Sequence, residues 1–252
     1  MRPVIGVSAA WSNETWPKKK HEQDFIPDFY YIGRSYIHAI CQLGGIPFIL
    51  PPQSVHEEEG VINQIVNQLD GLLLSGGGDI GINPTDEYVP YLIEQQRHRY
   101  EFESALIKEA WLKDLPVMGI CRGHQMIVEV LGGEITNQPI KNHSGKDGIS
   151  DWDIVEIMPN TLLDEITENK EWKVNSYHTQ AAKKLPASLN VSATNQTDDI
   201  IEAVEAHDKT FFVGVQFHPE QLISRDNNSI SLFQRFIDEA KNEAMKKQSI
   251  HK

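Results

Sequence analysis

The chain has 252 residues, and its 36 acidic side chains outnumber 23 Lys and Arg side chains to give a net charge of −13. This balance argues against binding nucleic acid or an anionic membrane surface, because both call for a basic face. The 40% apolar content excludes a disordered chain, and no apolar run approaches the ~20 residues of a membrane span. With only two cysteines, a disulfide framework is ruled out, and we expect a cytoplasmic protein with reduced thiols.

The first half of the chain alternates short apolar runs with patterns of helical spacing. We predict strands over 4–7, 46–50, 71–74 and 116–119, and helices over 32–43, 61–69, 102–110 and 125–131. Fully apolar strands separated by helix-length segments indicate parallel βαβ units whose sheet is covered on both faces.

The second half is richer in strands. We predict strands over 154–158, 172–175, 189–194, 200–204 and 211–217, followed by a closing helix over 230–240. The pattern predicts an α/β fold in one domain, residues 1–252, with antiparallel additions in the C-terminal half. Polar or proline-containing segments at 11–28, 82–91 and 137–151 are expected to be surface loops, of which a lid or specificity role is one option.

Residues 119–123, GICRG, have the Gly-x-nucleophile-x-Gly pattern of a sharp turn between a strand and a helix. Such a turn would hold Cys121 at the helix N-terminus, where the partial positive charge favours a thiolate. The amide of Arg122 would then point to the place where an acyl oxyanion forms. A small buried core cysteine is the alternative explanation of this pattern.

A thiolate nucleophile needs a base, and His218 lies at the carboxyl end of the predicted strand 211–217. Pro219 restricts His218 to extended geometry, and Glu220 is close enough in sequence to orient the imidazole. Residues 75–79, SGGGD, follow another buried strand and could supply a second oxyanion-hole donor. Taken alone, the glycine run fits a tight turn equally well.

Four motifs occur in a characteristic order: SGGGD, GICRGHQ, NSYHTQ and GVQFHPE. Together they resemble the class I glutamine amidotransferase superfamily, and more closely the γ-glutamyl hydrolases of the peptidase C26 type, from about Pro3 to Glu220. The resemblance implies a flavodoxin-like three-layer sandwich with a mostly parallel central sheet. It implies no cofactor and no metal.

The resemblance also implies roles for individual residues. Cys121 would be the nucleophile, His218 the general base and Glu220 its orienting carboxylate. The Arg122 amide and a loop glycine would form the oxyanion hole. The residues expected at the glutamyl substrate are Gly77, Gly78, Arg122, Gln125, Ser176, Tyr177 and His178.

Two departures from the hydrolase pattern leave the leaving amine open. His124 stands where the hydrolases usually have methionine, and GHQ is commoner in synthetase-linked glutaminases. Thr179 follows His178 where the hydrolases often have a second histidine. The expected function is hydrolysis of γ-glutamyl amides, a small-molecule substrate class, with release of L-glutamate. The alternatives are a glutaminase subunit that delivers ammonia to a separate synthetase, and a non-catalytic binding protein on the same fold. The oligomeric state stays open, with a homodimer as one option.

Other reactive side chains receive plainer predictions. Cys41 is expected to pack against the core, and Arg99 and Glu103 are expected to be solvated or paired. His143 has no partner at metal-ligand spacing, so no metal site is predicted around it.

Overall fold

The computed structural model describes residues 1–12, 29–53, 60–78, 90–136, 140, 143, 152–167 and 169–250. Most of the three predicted loops at 11–28, 82–91 and 137–151 lies outside these residues. In the described part of the chain, no helix is both long and apolar enough to cross a membrane.

The elements follow one another in the predicted alternation. The described strands are β1 (Val4–Ser8), β2 (Ala10–Ser12), β3 (Phe29–Tyr31), β4 (Ile46–Leu50), β5 (Gly71–Leu74), β6 (Val117–Ile120), β7 (Glu134–Ile135), β8 (Trp152–Ile157), β9 (Glu171–Asn175), β10 (Ala182–Lys184), β11 (Leu189–Asn195), β12 (Ile201–Ala206) and β13 (Phe212–Val215). The described α-helices are α1 (Arg34–Gln42), α2 (Val61–Gln68), α3 (Pro90–Lys113), α4 (Arg122–Val130), α5 (Leu162–Ile166) and α6 (Asn227–Ile250).

One large sheet holds most of the strands, in the order β4-β1-β5-β6-β13-β12-β11-β8-β9. The strands from β4 to β13 are parallel, and those from β13 to β9 are antiparallel. The predicted mixed sheet, with its antiparallel part in the C-terminal half, is therefore confirmed. Strand β13 returns to the middle of the sheet and lies beside β6, so the carboxyl ends of these two strands are neighbours.

Alternate strand residues face two separate helical layers, as the two-residue period of a strand requires. On one face, Leu73 and Met118 pack with α1 and α6. On the other, Leu72 and Val117 pack with α2, α3 and α4. The result is the expected three-layer sandwich, in which the central strands β5, β6 and β13 are buried on both sides.

The structure also contains elements that the sequence pattern does not predict. Strands β2 and β3 pair as a separate antiparallel hairpin, and β7, β10 and α5 are additional short elements. These segments have two to five residues, too few to establish a period. Helix α3 begins at Pro90 rather than near residue 102, because the polar run 94–99 interrupts the apolar spacing in the sequence. The prediction that Cys41 packs against the core is wrong, since Cys41 is exposed.

Candidate active site at the ends of two parallel strands

The turn after β6 has the backbone conformation that its two glycines allow. Cys121 has φ 52° and ψ −105°, a region that residues with a side chain rarely adopt. A Cβ on Gly119 would lie 2.6 Å from the Gly123 backbone, and one on Gly123 would overlap the Leu74 carbonyl. Glycine at both positions therefore lets the start of α4 pack directly on β5 and β6. The Cys121 amide donates to the Val215 carbonyl across 2.8 Å and fixes the turn to β13.

His218 and Glu220 lie where the neighbouring strand β13 ends. The imidazole Nδ1 of His218 is 2.9 Å from Glu220 Oε1, and both residues are buried. Pro219 opens the short 3-10 helix Pro219–Gln221, which carries Glu220 back toward the imidazole. Burial opposes the charged imidazole, but the Glu220 carboxylate and the Cys121 side chain outweigh it and hold the pKa of His218 well above its usual value. His218 therefore has an environment that favours the imidazolium form.

The glycine loop after β5 contacts both of these strand ends. A Cβ on Gly76 would lie 3.1 Å from His218 Cε1 and 3.2 Å from Cys121 Cβ. The Cys121 and His218 side chains thus border the same point in space. Gly77 and Gly78 follow with positive φ angles of 94° and 77°, which glycine adopts at no steric cost.

A buried arginine holds the carbonyl side of this loop. The Arg99 guanidinium donates to the carbonyl oxygens of Ser75, Gly76 and Gly77 at 2.8 to 3.2 Å. Its Nε donates to Glu103 Oε1 across 2.9 Å. Because one guanidinium binds three successive carbonyls, Arg99 on α3 fixes the conformation of the glycine loop.

Glu103 joins Arg99 to Arg122 in one network. The Arg122 guanidinium donates to Glu103 Oε2, and Ser8 Oγ donates to Glu103 Oε1 across 2.8 Å. Burial opposes ionisation of Glu103, but the two guanidinium groups overcome it and lower the pKa of that carboxyl. The Arg122 residue is 2% exposed and its side chain is engaged in this pair, so of the groups of Arg122 only the backbone amide is left for the predicted substrate contact, which stays a prediction.

The segment after β9 brings a backbone carbonyl close to Cys121. Cys121 Sγ lies 3.7 Å from the Tyr177 carbonyl oxygen, and Ser176 on its N-terminal side is buried. The side chains of Gln125 and His178 make other contacts: Gln125 Nε2 donates to the Gln180 carbonyl across 2.8 Å, and His178 Nδ1 lies 3.0 Å from the same oxygen. Their contact with a substrate therefore stays a prediction.

Tyr36 is a site residue that sequence reasoning missed. Tyr36 lies within the predicted helix 32–43, where its helical spacing with the apolar residues of that helix predicts only a packing role, and it is buried. Its hydroxyl accepts the Gly76 N–H across 3.0 Å. Burial, followed by the charges of Glu220 and Cys121, raises the pKa of Tyr36 well above its usual value. A tyrosine in an otherwise apolar stripe was the available signal, because a buried phenol requires a polar partner.

The fold and the family comparison identify a glutamine amidotransferase-like hydrolase. The family model Peptidase C26 matches residues 3–220, and the chain belongs to this family. The resemblance drawn from the four motifs is thus confirmed. Protein NtpR of Enterococcus hirae is 36% identical over 83% of this chain and 89% of its own length.

Two further comparisons are consistent with this membership. Gamma-glutamyl-gamma-aminobutyrate hydrolase PuuD of Escherichia coli K12 is 28% identical over 85% of this chain and 88% of its own length. The crystal structure of a glutamine amidotransferase from Thermotoga maritima aligns with a TM-score of 0.55 at 19% identity, covering 98% of this chain and 86% of that one. The second likeness shows the shared fold.

Proposed function

We propose that this chain is a cysteine-dependent hydrolase of γ-glutamyl amides, with γ-glutamyl-γ-aminobutyrate as a representative substrate. The observation that carries the proposal is the pairing of two strand ends. Cys121 occupies the turn after β6, and His218, tied to Glu220 across 2.9 Å, borders it from β13. Nucleophile, base and orienting carboxylate are the three parts that acyl transfer through a thioester requires.

In the proposed reaction, the Cys121 thiolate attacks the γ-carbonyl carbon of the substrate. The tetrahedral oxyanion receives hydrogen bonds from the Arg122 amide and from Gly77 or Gly78. Arg122 is the first residue of α4, so its amide is one of the N–H groups that a helix leaves without an intrahelical acceptor. The His218 imidazolium protonates the leaving amine as the C–N bond breaks, and a γ-glutamyl thioester remains. His218 then takes a proton from water, which attacks the thioester and releases L-glutamate.

The charge around the glycine loop supports an anionic substrate despite the acidic chain. Arg99 and Arg122 share the single carboxylate of Glu103, so this network carries a net positive charge directly beneath the loop. A positive potential at the loop favours both the developing oxyanion and a glutamyl carboxylate. The overall charge of −13 is then a property of the remaining surface.

An assay of glutamate release from different substrates tests the proposed substrate class against glutamine and polyglutamates. We expect γ-glutamyl-γ-aminobutyrate to be turned over with a much higher kcat/KM than glutamine or a folyl-polyglutamate when the three are assayed side by side. Comparable or faster release of ammonia from glutamine would contradict the hydrolase proposal. The Cys41→Ala variant should give the same substrate ranking as the wild type.

The alternative is a glutaminase subunit that delivers ammonia to a separate synthetase. The specific observation in its favour is His124, which completes the GHQ sequence that the resemblance associates with synthetase-linked glutaminases. This function keeps the same thioester chemistry but changes the leaving group from an amine to ammonia. Glutamine turnover that rises on adding a synthetase partner would support it.

The Glu220→Gln substitution tests whether Glu220 orients His218, with the pH profile of kcat/KM as the measured quantity. The carboxylate of Glu220 is one cause of the high pKa of His218, so its loss lets the imidazolium deprotonate at lower pH. Because that imidazolium protonates the leaving amine, the alkaline limb of the kcat/KM profile should move to lower pH. We expect kcat to fall by about 10²- to 10⁴-fold.

The matched control for this measurement is Glu171→Gln, at an exposed position on β9. It should leave both the rate and the pH profile unchanged. An unshifted alkaline limb in the Glu220 variant would argue that Glu220 does not act through His218.

A further inference from the structure

A second cluster of ionisable side chains lies buried beside the candidate active site. Its core consists of His143, His178 and Glu202, and one ligand atom of each lies within 4.8 Å of the others. All three side chains are almost fully buried, and Glu202 on β12 is 0% exposed. Asp153 and Asp198 border the cluster at its more exposed side. None of these five residues belongs to the Cys121, His218 and Glu220 group.

In each histidine, the ring nitrogen that points away from Glu202, called here the outer nitrogen, is held by an oxygen atom. His143 Nε2 lies 2.8 Å from Asp198 Oδ2, and His178 Nδ1 lies 3.0 Å from the Gln180 carbonyl oxygen. Because a carbonyl or carboxylate oxygen only accepts, each of these nitrogens carries the proton. The inner nitrogen of His178, Nε2, therefore presents its lone pair to the centre of the cluster. The inner nitrogen of His143, Nδ1, also lies 3.0 Å from a carboxylate oxygen, Asp153 Oδ2, so without a metal it carries a second proton and His143 is an imidazolium. A metal ion at Nδ1 would displace that proton.

Both inner nitrogens face carboxylate oxygens. His178 Nε2 lies 3.4 Å from Glu202 Oε1, and His143 Nδ1 lies 3.7 Å from the same oxygen and 3.0 Å from Asp153 Oδ2. Among the residues that the structure describes, neither oxygen of Glu202 and no group at His178 Nε2 completes a hydrogen bond. A fully buried carboxylate without a donor is costly, so Glu202 requires a positive charge nearby, which either the His143 imidazolium or a metal ion held between these acceptors supplies.

We propose that this cluster binds a divalent transition-metal ion of the Zn²⁺ type. The ligands would be His143 Nδ1, His178 Nε2 and Glu202, with Asp153 as the fourth. Two imidazoles and two carboxylates are a ligand set that zinc accepts, and ligands about 2.0–2.2 Å from a tetrahedral ion lie roughly 3.3–3.6 Å from one another. Three of the observed separations, 3.0, 3.4 and 3.7 Å, bracket that range, and the ligand atoms of His143, His178 and Glu202 all lie within 4.8 Å of one another.

Charge and outer contacts agree with this assignment. A doubly charged ion that displaces the second proton of His143 leaves both imidazoles neutral, as metal ligation requires, and two carboxylates neutralise the ion. Asp198 and the Gln180 carbonyl supply the outer acceptors that orient ligating histidines in metalloproteins. The sequence predicted no metal because the ligands come from four separate segments, with no short ligand spacing between them.

The site would act on the reaction centre through one peptide segment. His178 directly follows Tyr177, whose carbonyl oxygen lies 3.7 Å from Cys121 Sγ. An ion held by His178 would fix this carbonyl beside the nucleophile, which is a structural role. The proposal does not depend on the proposed hydrolase activity, and its test measures metal rather than turnover.

The test uses the full chain, stripped with a chelator and titrated with Zn²⁺ against a chromophoric competitor, with the retained metal measured by mass spectrometry. We expect the wild type to retain a single zinc ion per chain and to show a higher Tm with zinc than without. Glu202→Gln preserves shape but removes a ligand charge, and it should weaken zinc binding by at least about 10-fold. Asp198→Asn, which alters only an outer contact, should weaken it by about 10- to 100-fold.

Two control variants separate this site from adventitious binding. His207→Gln removes a histidine outside the cluster, on the exposed surface, and the combined Cys41→Ala and Cys121→Ala variant removes both thiols. Each should bind zinc like the wild type. A folded wild type that takes up no zinc would overturn the proposal and leave a protonated histidine as the buried cation. Wild-type zinc affinity in Asp198→Asn and in any folded Glu202→Gln would overturn it equally.

Discussion

The Cys121→Ala variant is expected to lose hydrolysis of γ-glutamyl amides by at least about 10³-fold while still binding the substrate. The reason is chemical: alanine offers no nucleophile, so the thioester cannot form and the oxyanion hole has no tetrahedral intermediate to stabilise. The fold should tolerate the change, because alanine keeps the Cβ at the turn with φ 52° and removes one sulfur atom. Glutamate release and substrate binding, measured separately, distinguish lost chemistry from lost affinity.

The chain contains its own control for this experiment. Cys41 is exposed on α1, whereas Cys121 is buried beside His218. Cys41→Ala should therefore keep wild-type kcat and KM. Equal losses in the two variants, or undiminished turnover by Cys121→Ala, would contradict the assigned nucleophile.

Among the substitutions proposed here, Glu103→Gln is expected to lower the free energy of unfolding the most, by about 3–5 kcal/mol. Glutamine has nearly the same shape but no charge, so two guanidinium groups that are 5% and 2% exposed, on Arg99 and Arg122, lose their counter-ion. Removing one partner of a buried ion pair leaves uncompensated charge in a poorly polarisable interior. Urea unfolding followed by circular dichroism measures the change.

The neighbouring turn of the same helix supplies a matched control. Arg97 and Glu101 form an ion pair at 2.9 Å with the same four-residue spacing, but their side chains are 69% and 29% exposed. Surface pairs of this kind contribute little to stability, so Glu101→Gln should leave the free energy of unfolding nearly unchanged. Similar losses in the two variants would show that burial does not decide the value of the Arg99–Glu103 pair.

Much of the fold could be predicted because strand and helix periods are local signals. The segments 46–50 and 71–74 are unbroken apolar runs, and the structure places strands there with the same bounds. Strand 71–74 is buried, whereas 46–50 forms the edge of the sheet and is largely exposed. The closing helix was also predicted, although it extends from Asn227 to Ile250. Short pairings such as β7 with β10 depend on contacts between distant segments, which a local pattern cannot contain.

In the candidate site, too, local patterns predict some features, whereas others depend on contacts between distant segments. Cys121 and His218 could be predicted to be neighbours, since each follows a buried strand and parallel strands end at one edge of a sheet. Arg99 was noticed but its role was not, because the glycine loop it holds lies more than 20 residues away. The cluster of His143, His178 and Glu202 is likewise assembled only when β12 pairs within the sheet.

The central claim is that Cys121 carries the substrate as a γ-glutamyl thioester. The most direct measurement is intact-mass and peptide analysis after reaction with an electrophilic glutamine analogue, with and without excess γ-glutamyl-γ-aminobutyrate. The account predicts one adduct per chain, located on Cys121, formed more slowly when substrate is present and absent from Cys121→Ala. Modification of Cys41 alone, or loss of activity without an adduct on Cys121, would contradict it.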